Sequence, residues 1–127
     1  MGQAFLVVDD SKLARMVARK ALHDLRPDCT VLEAASALEA DRFADAEEVA
    51  AAFIDVNMPG EDGLELAARL RRRRPHLPIA IVSANAQTHV LERAGALDAV
   101  FMEKPLSETS VAHFIAARVG GAPEAPC

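Results

Sequence analysis

Long apolar runs are missing from this sequence. No stretch approaches the ~18 residues that a membrane-spanning helix requires, so no membrane span is expected. The N-terminus, Met1-Gly2-Gln3-Ala4, runs straight into an apolar stretch and has neither the charged segment nor the long apolar core of a signal peptide. A myristoylation signal is incomplete, because Leu6 stands where the pattern needs Ser or Thr. Cysteine is scarce: Cys29 and Cys127 are the two, with no CxxC and no Cys/His cluster. That argues against thiolate-bound metal and fits reduced thiols in a cytoplasmic protein. Positive charge is not in excess. The net charge is −5, unsuited to direct binding of a nucleic-acid backbone. The one basic block, Arg69 and Arg71–Arg74, closes a predicted helix, where cations favour the negative end of the dipole, and reads as a solvated face. Neither GxxxxGK nor GxGxxG occurs, so the common phosphate-cradling loops of nucleotide-binding proteins are absent.

What is present is 127 residues with 51% hydrophobic content, enough for one domain to bury a core without a disulfide or a metal staple. The chain is organised around Phe53-Ile54-Asp55-Val56-Asn57-Met58-Pro59-Gly60, an apolar run that ends abruptly in a carboxylate and a loop. Short apolar or β-biased runs at 4–8, 30–34, 49–54, 78–82 and 99–102 predict strands. Between them lie helical patterns. Ser11 caps a helix over Lys12–Arg26, with Leu13, Met16, Val17, Leu22 and Leu25 at helical spacing and Pro27 as its stop. Ser36-Ala37-Leu38-Glu39 has the form of a capping box and opens a helix to about Ala46. Asp62-Gly63-Leu64-Glu65 opens another, to about Arg74 before Pro75. A weaker helix spans Ala86 to Ala94, with Gly95 as its stop. Ser107 caps the last, in which Val111, Phe114, Ile115 and Val119 share a face. The expected domain covers 1–119, and residues 120–127 have the composition of a flexible linker.

Strands alternating with helices predict βαβ units and one parallel sheet. The expected fold class is α/β, doubly wound and flavodoxin-like: five strands in the order 2-1-3-4-5, flanked by five helices. In that order the first and third strands are neighbours at the switch point, where ligands bind beyond the carboxyl ends of the strands. Those ends carry Asp9 and Asp10, Asp55, Ser83 and Lys104; the second strand, at the edge, offers only Ala35 and Ser36. Taken singly, Asp10 reads equally as a helix cap, Ser83 as a loop serine and Lys104 as a surface lysine. Together they form a constellation. Three converging carboxylates repel one another unless a divalent cation joins them, and oxygen ligands with room for water suit Mg²⁺. Phosphoryl transfer is the matching reaction class, since it needs positioning and charge neutralisation. Asp55 would be the nucleophile, Lys104 the partner of a phosphoryl oxygen and Ser83 a hydrogen-bond donor to another. The main-chain carbonyl of Asn57 can reach back to the metal.

These residues resemble the receiver domain of bacterial two-component response regulators, the CheY-like fold. The resemblance runs from Ala4 to about Val119. It rests on Val8-Asp9-Asp10, on Asp55 with Met58-Pro59-Gly60 and Asp62-Gly63, on Ser83-Ala84, on Gly95-Ala96 and on Lys104-Pro105. It implies a phosphoprotein, not an enzyme in the ordinary sense, whose Asp55 takes a phosphoryl group from a phosphohistidine of a histidine kinase or phosphotransfer protein. It implies Mg²⁺ held by Asp10, Asp55 and the Asn57 carbonyl, with Asp9 acting through water. Ser83 and Phe101 would be the switch pair, coupling the site to the face of the fourth helix, fifth strand and fifth helix, where a downstream protein docks. Phe101 stands where tyrosine is frequent, which removes a switch hydroxyl; plain core packing is the other reading of this side chain. Asn57 and Asn85 would flank the path of the hydrolytic water and set the lifetime of the phosphorylated form.

Several roles fit such a chain: a single-domain regulator, a phosphorelay intermediate, a phosphate sink or a receiver fragment of a longer regulator. A phosphohydrolase with an aspartate nucleophile is the rival of another class. That class spaces its aspartates by one residue on one strand and carries a cap insertion, whereas Asp9 and Asp10 are adjacent and no insertion is long enough.

Overall fold

The five apolar runs become five parallel strands, since each is bounded by polar or turn-forming residues and all but the edge runs must be covered on both faces. A computed structural model describes residues 3–43, 49–58 and 60–119. The strands are β1 (Ala4–Val8), β2 (Thr30–Ala34), β3 (Val49–Asp55), β4 (Ile79–Ser83) and β5 (Val100–Glu103). They pair in parallel in the order β2-β1-β3-β4-β5, as the alternating pattern predicts. The helices are α1 (Lys12–Leu25), α2 (Ala37–Asp41), α3 (Gly63–Arg73), α4 (Thr88–Ala96) and α5 (Glu108–Phe114), the last continuing as a π-helical turn over Ile115–Val119. No helix among the described residues is long and apolar enough to cross a membrane.

Side chains alternate along a strand, so each strand feeds two cores. Phe5, Val7, Ala51, Phe53, Ala80, Val82 and Met102 pack on the side of α1 and α5. Leu6, Val8, Ala52, Ile54, Ile79 and Ile81 pack on the side of α2, α3 and α4. Phe53 lies edge-to-face with Phe5, centroids 6.4 Å apart, and with Phe114 at 5.2 Å. Each such pair contributes about 0.5–1.5 kcal/mol beyond the burial of its area.

Register decides where the polar strand ends meet. Val8 lies opposite Ile54 and Ala34, so Asp9 emerges beside Asp55. Asp55 lies opposite Val82, and Ser83 opposite Glu103, which sets Lys104 one residue further along the same mouth.

Three local expectations are corrected. The second helix ends at Asp41, where i→i−3 bonds from Arg42 to Glu39 and from Phe43 to Ala40 tighten the chain into a turn; its expected last residues, 44–46, lie outside the described residues. Gly95 does not stop the fourth helix. The helix runs through it to Ala96, and Asp98 takes the left-handed conformation, φ 57°, while Ala99 and Asp98 donate to the carbonyls of Ala94 and Gly95, a Schellman closure with an aspartate in the usual glycine place. On α1 the core face is Ala18, Ala21 and Leu22, while Leu13 and Met16 are 69% and 54% exposed. The expected tail, 120–127, lies outside the described residues, as does Pro59.

Candidate functional site

Asp55 is the last residue of β3 and is 4% exposed. Strand parity aims it toward the α1 and α5 side, with Phe53 two residues before it. The same parity carries Asp9 two residues after Val7 and Lys104 two after Met102. The three therefore meet on one face of the sheet. Lys104 Nζ lies 2.8 Å from Asp9 Oδ2 and 3.1 Å from Asp55 Oδ1. Asp9 is also buried, and its Oδ1 accepts from the Ser11 backbone N–H at 2.9 Å. Asp10 is exposed, yet one oxygen each of Asp9, Asp10 and Asp55 lie within 4.8 Å of one another.

Burial pushes the Asp55 carboxyl above the usual carboxylate range, and the Asp9 charge adds to this; the Lys104 ammonium and the Asn57 backbone N–H pull the other way without cancelling it. Burial would lower Lys104, but its bonds to Asp9 and Asp55 outweigh that and hold it above the ordinary lysine value. Ionised, three carboxylates face one ammonium, an imbalance that a dication would correct. The donor set suits Mg²⁺, being all oxygen. Ligands of one octahedral Mg²⁺ lie about 3 Å apart in cis positions and about 4.2 Å in trans, so carboxylates gathered within 4.8 Å can bind one ion directly or through an intervening water.

Not every residue singled out in the sequence joins this cluster. Ser83 is 2% exposed, but it has the opposite parity to Val82, and its hydroxyl bonds to the backbone of Asn85, donating to the carbonyl at 3.1 Å and accepting from the N–H at 3.2 Å. It lines a polar cleft of ≈ 240 Å³ with Asn57, Asn85, Gln87, His89 and Arg93. Phe101 is partly buried against the core of that same side. So Asp9, Asp55 and Lys104 face one side of the sheet, and Ser83 and Phe101 the other. On the first side a mostly apolar cleft of ≈ 420 Å³ opens beside Asp55, walled by Leu13, Val17, Phe53, Pro105 and Leu106.

The loop after Asp55 is braced from two directions. Gly63 opens α3 so close to β3 that its N–H bonds to the Val56 carbonyl at 2.9 Å. Arg69 pairs with Glu61 in the loop and with Asp41 of α2.

Sequence reasoning missed one group beside the site and another at the opposite end of the sheet. Arg15, half-buried on α1, donates to the Asp9 carbonyl at 2.6 Å and to Glu33 of β2 at 2.9 Å. Edge strand β2 thus reaches the site after all, through Glu33. The available signal was a lone carboxylate in an apolar strand, facing Arg15 and Arg19 one helical turn apart. The basic block is only partly the solvated face expected: Arg72 and Arg73 are exposed, but Arg69, Arg71 and Arg74 are half-buried. Arg71 is no solvated helix end: it donates to the carbonyls of Leu77 at 2.6 Å and Leu97 at 2.9 Å, tying α3 to the turns that lead into β4 and β5. Arg74 likewise donates to the Val49 carbonyl at 3.0 Å.

Comparison with known proteins agrees with this geometry. The family model for the response regulator receiver domain matches residues 5–116. A cyclic di-GMP phosphodiesterase response regulator, RpfG of Xanthomonas campestris, is 32% identical over an alignment of 111 residues that covers 84% of this chain. The chain spans only 29% of that protein's length. Among solved structures, a CheY-like receiver domain protein from Methanospirillum hungatei superposes with a TM-score of 0.84 at 21% identity, covering 94% of both chains. The CheX-CheY-BeF3-Mg complex from Borrelia burgdorferi matches with 0.81 at 19% identity, covering 91% of this chain and 87% of that one. With its sheet order, its acidic cluster and a family match over nearly its whole length, the chain belongs to the response regulator receiver family.

Proposed function

We propose that Asp55 is the phosphoacceptor of a two-component signalling protein, charged by a phosphohistidine of a histidine kinase or phosphotransfer protein. The observation that carries this reading is the buried Asp55 carboxylate sharing one ammonium, Lys104, with Asp9, while Asp10 stands within 4.8 Å. An acidic triad of this kind is typical of the Mg²⁺ site of receiver domains. Asp10, Asp55 and the Asn57 carbonyl would hold the ion, and Asp9, already engaged by Lys104 and Ser11, would act through water. Bound Mg²⁺ supplies neutralisation of charge on the carboxylates and on the incoming phosphoryl oxygens.

The chain's own groups do the rest. Ionised Asp55 attacks phosphorus through one carboxylate oxygen; the new O–P bond forms as the P–N bond to the donor breaks, and the imidazole leaves neutral after taking up a proton. Lys104 exchanges its bond to Asp55 for one to a phosphoryl oxygen. The apolar cleft beside Asp55, with exposed Leu13 at its rim, receives the donor. Ser83 then leaves its bonds to Asn85 for the phosphoryl group, and Phe101 follows on the same side of the sheet, changing the face made by α4, β5 and α5. Asn57 and Asn85, which line the polar cleft, govern the approach of water and so the lifetime of the acyl phosphate.

The test is direct. Incubation with acetyl phosphate and Mg²⁺, followed by intact mass measurement, should show one phosphoryl group on the native protein and none on Asp55→Ala. Uptake by Asp55→Ala at the native rate would sink the assignment.

A further inference from the structure

We infer that Arg15 is a positioning residue for the cation-binding acids, and that Glu33 of the edge strand acts through it. The inference rests on the site reading above.

Asp9 is held at four points. Its N–H donates to the Ala34 carbonyl at 3.0 Å, its Oδ1 accepts from Ser11 N–H, its Oδ2 meets Lys104, and its carbonyl accepts from Arg15 Nη1 at 2.6 Å. The last of these fixes more than Asp9. The Asp9 carbonyl and the Asp10 N–H belong to one rigid peptide plane. Pinning the oxygen therefore sets the direction in which Asp10 leaves the strand. Asp10 is exposed and has no side-chain hydrogen bond of its own among the described residues, so its backbone is what places it.

Arg15 can do this because it is itself held. Its side chain is 15% exposed, and Nε donates to Glu33 Oε1 at 2.9 Å while Nη1 reaches Asp9. The planar fork spans the two acceptors at once, which an ammonium does not do. Glu33 also takes Arg19, at 2.6 Å. Shared between two guanidinium groups, it offsets only part of their charge, so Arg15 brings both a directed hydrogen bond to Asp9 and some positive charge to the cation site.

That distinction supplies the test, because charge and position push opposite ways. Arg15→Gln removes a cation near three carboxylates. If charge were what mattered, Mn²⁺ or Mg²⁺ would bind more tightly. If position matters, binding weakens, by about 10-fold as for other residues that orient metal ligands. Arg15→Lys keeps the charge and loses the fork, so it should weaken binding as well. Arg19→Gln is the control: it breaks a bond to the same Glu33 without touching Asp9, and should cost some thermal stability while binding the cation like native protein.

The measurement is Mn²⁺ affinity of the unphosphorylated protein by electron paramagnetic resonance, with thermal melts of each variant; Arg15→Lys decides the matter if Arg15→Gln does not fold. Native or tighter affinity in the Arg15 variants, or an equal loss in Arg19→Gln, would overturn the inference while leaving the cation site intact. Glu33→Gln binding as tightly as native protein would remove Glu33 from it. No binding by the native protein would overturn the site itself and the inference with it.

Discussion

Two glycines in helices should respond to alanine in opposite directions. Alanine is the better helix former by about 1 kcal/mol, so propensity alone favours both replacements. At Gly63 the structure reverses the sign. A Cβ there would lie 2.8 Å from the Asp55 carbonyl carbon and 2.9 Å from Ile54 Cγ2, and closer still to the Asp55 carbonyl oxygen. The obstacle is the backbone of β3, which no rotamer change relieves. Either α3 backs away, losing the bond from Gly63 N–H to Val56, or the end of β3 bends. Overpacking of this severity costs about 3 kcal/mol. Unfolding entropy of about 2.1 cal/mol/K per residue converts that into a melting temperature lower by about 10 °C for a chain of this length. At Gly95 a Cβ meets nothing within 4 Å; relief of backbone entropy then contributes about 0.5–1 kcal/mol, a rise of about 2–4 °C. Calorimetry of Gly63→Ala, Gly95→Ala and native protein at one pH is the assay. Since the Gly63 clash falls on Asp55 itself, phosphoryl uptake should slow in Gly63→Ala and stay native in Gly95→Ala. A Gly63→Ala protein that melts at or above native would refute the reasoning, because no packing term would then oppose propensity.

Asp55→Asn should raise the melting temperature of metal-free protein, and the gain should depend on pH. The folded state holds the Asp55 proton more tightly than the unfolded chain does, because burial and then Asp9 disfavour the ionised form; stability is therefore lost as pH rises from the ordinary carboxylate range through the raised value, and asparagine escapes that loss. Melts in chelator across this range should show the two proteins converging at acid pH and parting above it; a constant offset would contradict the burial argument. Arg71→Ala should cost about 2–3 kcal/mol, since the buried Leu77 carbonyl and that of Leu97 lose a charged donor. Urea titration reads this directly, and a cost near zero would return Arg71 to the solvent-facing role that its place in the sequence implied.

Much of the site was legible because strand ends advertise themselves. Apolar runs that stop at Asp9, Asp55 and Lys104 declare where buried backbone meets the mouth, and the parallel order follows from alternation with helices. Less legible was anything that depends on a partner far along the chain. Arg15 meets Glu33 eighteen positions away and Arg71 meets Leu97 at twenty-six; nothing in the local pattern separates such a clamp from a solvated cation. Boundaries failed for the same reason. Gly95 looks like a helix stop by composition, but the turn falls where Ala99 can be buried against Ala94, and Asp98 accepts the left-handed backbone. Strand parity was legible in principle. Val82 and Met102 fall on one face and Ser83 and Phe101 on the other, a count that separates the residues gathered at one mouth into two groups.

That separation bears on timing. On the proposed reading, the acceptor Asp55 is mounted on one wall of the sheet and the first groups to respond, Ser83 and Phe101, on the other, while α5 shares the acceptor's wall. A donor seated against Leu13 and Leu106 would cover the first wall and leave α4 in view. A partner reading α4 alone could then bind before the donor departs, whereas one that also needs α5 would have to wait.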